Sequence, residues 1–123
     1  MVREFDAGPV YQKRDLSLEG TAEEIYIRAT YLSAEMILDI VKNEPRPTPQ
    51  SGEIVVFKRR TPEQSEMQQF ENLPSLYDYI RMLDAESYPR AYFIYKGFRY
   101  EFSRAALHNE KIISDVVITK ADD

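Results

Sequence analysis

Three prolines at alternate positions, Pro45, Pro47 and Pro49, divide this chain into two stretches of different periodicity. Each proline fixes its own φ, lacks an N–H and pushes the residue before it toward extended backbone. No helix or central strand runs through such a segment. Residues 45–52, ending at Ser51-Gly52, therefore read as a semi-rigid linker. A surface loop inside one domain is the other reading. A chain of 123 residues is one ordinary domain, or two small pieces sharing a core.

Before the prolines the apolar spacing is helical. Thr21-Ala22-Glu23-Glu24 has the form of a capping box and follows Gly20, so a helix starts here and ends near Asn43, before Pro45. Ile25, Ala29, Leu32, Met36 and Ile40 form one apolar stripe, and Tyr31, Ala34 and Leu38 a second. Val10–Leu16 reads as a short strand leading into it.

After the prolines the spacing is that of strands. Glu53–Lys58 is β-branched and reads as a strand, broken by Arg59-Arg60-Thr61-Pro62. Pro74 and a capping-box-like Ser75–Asp78 open a short helix carrying Leu76, Tyr79, Ile80 and Leu83. Ala91–Tyr95, the Lys96-Gly97 turn and Phe98–Ser103 read as a hairpin. Its second arm puts Phe98, Tyr100 and Phe102 on one face and Arg99, Glu101 and Ser103 on the other. Ile112–Thr119 is the last strand. The expected fold is α+β: a short strand, a long N-terminal helix, then a small, mostly antiparallel, OB-like or barrel-like β-domain with one short helix.

Composition narrows the function classes. A net charge of −5 argues against a large nucleic-acid footprint, which needs a basic face. With no Cys and only His108 there is no disulfide framework, thiolate nucleophile, Cys-based zinc site or multi-His metal site. A Ser-His-Asp triad would have to be built on His108, which sits in a turn with Asn109, Glu110 and Lys111, a poor place for one. No apolar run follows Met1 and none approaches a membrane span, so the expected location is the cytoplasm.

Four segments, in order, carry a family resemblance. Arg3-Glu4-Phe5-Asp6-Ala7-Gly8-Pro9-Val10 is similar to the Asp-x-Gly-Pro turn that ends the catalytic loop of folate-dependent formyltransferases. Lys13 to Tyr26 resembles the strand and last helix of their catalytic domain. Phe57-Lys58-Arg59-Arg60-Thr61-Pro62-Glu63-Gln64-Ser65 resembles the Arg-Arg-rich start of their C-terminal domain, and Ile80 to Ala91 the segment before its hairpin. The resemblance is to the proteins like methionyl-tRNA formyltransferase, a group that includes the sugar-nucleotide N-formyltransferases.

The resemblance implies transfer of a formyl group from formyltetrahydrofolate, as co-substrate, to a primary amine. The amine must lose protons as it attacks, and the oxyanion on the formyl carbon must be stabilised. The family meets this with an upstream Asn-His pair and an Asp, and Asp6 matches that Asp. Val2, Arg3, Glu4 and Phe5 would border the pterin, and Gly8 would permit the turn that aims Asp6. Arg59 and Arg60 would clamp substrate phosphates. The acceptor would be a small amine, such as a nucleotide-linked amino sugar, rather than tRNA, given the net charge. No metal is implied.

Plainer readings stand beside these. Asp6 before Gly-Pro is an ordinary turn residue. Arg59-Arg60 is a solvated strand end. The hairpin aromatics pack a core rather than stack bases. The expected division is residues 1–44 as the end of a catalytic domain, 45–52 as linker and 53–123 as an accessory β-domain able to fold alone. The chain is then the C-terminal portion of a formyltransferase, inactive by itself. The alternative is a non-catalytic binding or oligomerisation module. Either way the helix carries more apolar surface than one contact face needs, which predicts a homo-oligomer formed through residues 21–42.

Overall fold

A computed structural model describes residues 7–121. By their contacts these fall into two units, one of residues 7–18 and 26–58, the other of residues 19–25 and 59–121.

Helix α1 (Ala22–Asn43) begins as its sequence dictates. Thr21 N donates to Glu24 Oε2 at 2.8 Å, and Glu24 N donates to Thr21 Oγ1 at 3.3 Å, closing the capping box. Gly20 turns into the helix at φ +84°, and a Cβ there would run into the Glu24 carboxylate. At the far end Glu44 adopts φ 43° and Pro45 stops the helix.

In the first unit, the strand expected over Val10–Leu16 does not form. Val10 makes a single antiparallel bridge with Thr48, through two N–H···O bonds of 2.8 Å. Thr48 lies between Pro47 and Pro49, which have no N–H, so the ladder cannot lengthen. The expected strand over Glu53–Lys58 is also absent. The β-branched residues have no neighbouring strand to bond, and Ile54 and Phe57 are 93% and 88% exposed. Gln12 Nε2 donates to Asp39 Oδ2 at 2.7 Å, and Arg28 Nη2 to Ser17 O at 3.0 Å.

The second unit holds every buried residue of the described chain. A 3-10 turn (Pro62–Ser65) leads to helix α2 (Leu73–Arg81). Ser75 was the expected cap of α2, but Asn72 takes that role: its Oδ1 accepts from Ser75 N at 2.9 Å, and the helix starts before Pro74. Asn caps as well as Ser does, and proline suits a first helical turn.

Strands β1 (Tyr92–Tyr95), β2 (Phe98–His108) and β3 (Lys111–Lys120) form an antiparallel sheet in that order. The first hairpin turns through Lys96 (φ 48°) and Gly97 (φ 78°), with Tyr95 opposite Phe98, the two-residue turn whose twist suits a hairpin. Strand β2 runs five residues beyond its expected end at Ser103 because a bulge carries it onward. The register with β3 shifts between Ser103 and Ala106, where Arg104 has φ 50°.

Ile80, Leu83 and Ala91 form the core, with Leu76, Tyr79, Phe102 and Met67 packed against them. Phe93 stacks on Tyr100 at 4.8 Å and tilts against Phe102 at 5.6 Å. The alternating aromatic face of β2 thus looks toward α2, while Phe98, at the hairpin end, stays exposed. No helix among the described residues is long and apolar enough to cross a membrane.

Candidate functional site

Asp6, Val2, Arg3, Glu4 and Phe5 lie outside the described residues. Gly8, the last member of that loop, is held by its carbonyl, which accepts from Gln50 Nε2 at 2.6 Å. Val10–Lys13 and Thr48–Ser51 line an open pocket of about 740 Å³ within the same unit. The Val10–Thr48 bridge joins its two walls.

Arg59 and Arg60 come together with Thr61, Pro62, Ser65, Leu83, Ser87, Tyr88 and Pro89 around a pocket of about 490 Å³. The two arginines are differently engaged. Arg60 Nη2 donates to Gln64 O at 2.6 Å, and its guanidinium lies 5.9 Å from the Tyr79 ring centroid. Tyr79 Oη donates to the same carbonyl at 2.6 Å and to Glu66 O at 3.1 Å. Arg60 is thereby tied to the turn. Arg59 is exposed, with no ion pair to a carboxylate among the described residues.

The turn beneath them is rigid. Thr61 N donates to Gln64 Oε1 at 2.8 Å, and Pro62 stiffens the first position. The Thr61 hydroxyl also bonds the Glu63 carboxylate and holds its pKa below the usual value. The opposite wall turns at Ser87, with φ 62°. Two prolines, a turn fixed by side-chain bonds and the exposed Arg59 guanidinium line this concavity.

Asp84, which sequence reasoning did not single out, is 6% exposed and joins three segments. Oδ1 pairs with Arg90 Nη1, Oδ2 accepts from Arg104 N at 2.6 Å, and the backbone carbonyl accepts from Glu23 N at 3.2 Å. Both carboxylate oxygens are occupied, so Asp84 organises structure and is not free for proton transfer. The only signal for it in the sequence is an acid between Leu83 and Ala85, both of which are buried.

His108 sits exposed at the end of β2, opposite Lys111. Among the described residues no group of His, Asp and Glu is placed to hold a metal ion.

Residues 62–119 match the family model for the C-terminal domain of methionyl-tRNA formyltransferase. Over 98% of its length the chain superposes on the solved structure of methionyl-tRNA formyltransferase from Clostridium thermocellum, with a TM-score of 0.91 and 48% identity. It spans 54% of that structure's chain. No curated protein matches. The chain is thus similar to the C-terminal part of a methionyl-tRNA formyltransferase.

Proposed function

We propose that this chain is the C-terminal part of an enzyme that transfers a formyl group from formyltetrahydrofolate to a primary amine in the cytoplasm. The observation that carries the reading is 48% identity, sustained over 98% of the chain, to a structure named methionyl-tRNA formyltransferase. That name favours methionyl-tRNA as the acceptor. A nucleotide-linked amino sugar is the competing acceptor, favoured by the net charge of −5.

In this reading residues 1–44 end the catalytic domain, 45–52 link and 53–123 form the accessory domain. The division of contacts between Lys58 and Arg59 supports a boundary in this part of the chain. Asp6 helps to take protons from the attacking amine. Arg59 meets a phosphate of the acceptor, since both acceptors carry phosphates and a guanidinium fork matches their oxygens. Arg60 holds the turn that presents Arg59.

Alone, the chain has no turnover. It spans about half of its solved relative, and its one histidine lies exposed at the tip of a hairpin. The chain also associates with a second copy through α1. Ile27, Tyr31, Ala34, Leu38 and Val41 are all exposed and follow one another at steps of four and three, the spacing of a helix–helix seam.

The test joins this chain to the N-terminal part of the Clostridium thermocellum protein and supplies formyltetrahydrofolate with methionyl-tRNA or a nucleotide-linked amino sugar. Formyl transfer that is lost on Asp6→Asn is expected. A folded, inactive chimera would remove the catalytic reading. Turnover by the 123-residue chain alone, lost on Asp6→Asn, would overturn its inactivity.

A further inference from the structure

The exposed segment Glu53–Lys58 and the outer edge of β3 are complementary in a way the fold leaves unused. The segment is β-branched, and it pairs with no strand among the described residues. Among the described residues strand β3 pairs only with β2, so its other edge presents an unpaired row of N–H and C=O groups along the strand. Val116, Val117 and Ile118 on that strand remain 43–56% exposed.

We propose that residues 53–58 of one copy of this chain add as an antiparallel strand to the β3 edge of a second copy, and that the exchange is reciprocal. Charge fixes the register. With Lys58 opposite Asp115, Glu53 falls opposite Lys120, and everything between them is apolar or Thr119. No other antiparallel register pairs both charges. A parallel alignment with Glu53 at Asp115 sets like charges against each other at both ends.

The pleat agrees with this register. Phe57 lies beside Val116, and Val55 beside Ile118. These two β3 residues are opposite Phe102 and Tyr100 of β2, so the added strand extends the aromatic face of the sheet. Asp115 already pairs with Arg104 through one carboxylate oxygen, which leaves the other for Lys58. Two identical segments exchanging about a two-fold axis cover both β3 edges, so the exchange is complete in a pair. This sheet contact is separate from the α1 association and stands without it.

The chain has no cysteine, so introduced thiols report cleanly. Val56 and Val117 face each other in the proposed register. Chains carrying Val56→Cys are mixed with chains carrying Val117→Cys and oxidised. A disulfide-linked heterodimer is expected, in clear excess over the yield from Val56→Cys with Val116→Cys, whose side chains fall on opposite faces. Sedimentation equilibrium reads the charge pair. Lys58→Asp or Asp115→Lys alone should weaken association about fivefold for the two symmetry-related pairs, and the double variant should restore it. Equal cross-linking in both registers, cross-linking only when both cysteines are on one chain, or a double variant no tighter than the singles would overturn the proposal.

Discussion

Arg104 donates its backbone N–H to Asp84 Oδ2 across 2.6 Å, so a β-bulge and a buried carboxylate hold one another in place. The bulge turns the N–H of Arg104 out of the β2–β3 ladder, and Asp84 is the partner that satisfies it. The same carboxylate pairs with Arg90 ahead of β1, so three chain segments meet on one side chain.

Asp84→Ala should therefore cost about 2 kcal/mol, less than the loss of a partner from a fully buried pair, because Arg90 is partly solvated. A urea melt of the full chain reads this as a lower midpoint. A midpoint within error of the parent would show that the carboxylate carries no stability.

The first turn of α1 belongs to the core of the second unit, where Ile25 is 7% exposed. Ile25→Ala should cost about 3 kcal/mol, comparable to Ile80→Ala in the centre of that core. Residues 53–123 alone lack this turn, and should melt at a lower temperature than the full chain if they fold alone. Calorimetry of the two lengths compares them directly.

Gly97 stands at φ 78° with nothing within 4 Å of an added Cβ. Gly97→Ala should lose about 1 kcal/mol through backbone conformation alone, and Gly97→Asn less, since Asn tolerates this region. Thermal denaturation of both variants separates conformational strain from crowding, which predicts no such order.

Glu63 titrates below its ordinary value of 4.5, first because the Thr61 hydroxyl bonds its ionised form. A lowered folded pKa contributes stability that is complete above the ordinary value and is lost as pH falls through the folded one. The turn under Arg60 should thus loosen only in acid. Thr61→Val should move the Glu63 carboxyl carbon titration, followed by NMR, back toward 4.5; an unchanged titration would remove Thr61 as the cause.

For the helix seam, Tyr31→Glu and Leu38→Glu are the decisive variants, since both positions are about 70% exposed, whereas Leu32 and Met36 are half-buried. Loss of the α1 contact, read in sedimentation equilibrium as a drop to the assembly that the sheet exchange alone holds, is expected, with the helical signal unchanged. A monomeric parent, or association indifferent to both charges, would sink the reading.

The sequence by itself determined what short-range chemistry controls. The Thr21–Glu24 box, the stop at Pro45, the Lys96-Gly97 turn and the period-two aromatics of β2 depend on neighbours a few residues apart, and each is where its spacing puts it. The inward stripe of Ile25, Ala29, Leu32, Met36 and Ile40 was equally legible from its period. Tertiary structure alone decided which strands exist. Val10–Leu16 and Glu53–Lys58 have strand composition, but a strand needs a partner ladder, and proline on one side and open solvent on the other supply none. The different employment of Arg59 and Arg60 and the burial of Asp84 follow the same rule. Adjacent arginines are equivalent in a sequence, and only the placement of Tyr79 and Gln64 separates the tethered Arg60 from the free Arg59, as the Arg104 bulge sets the burial of Asp84.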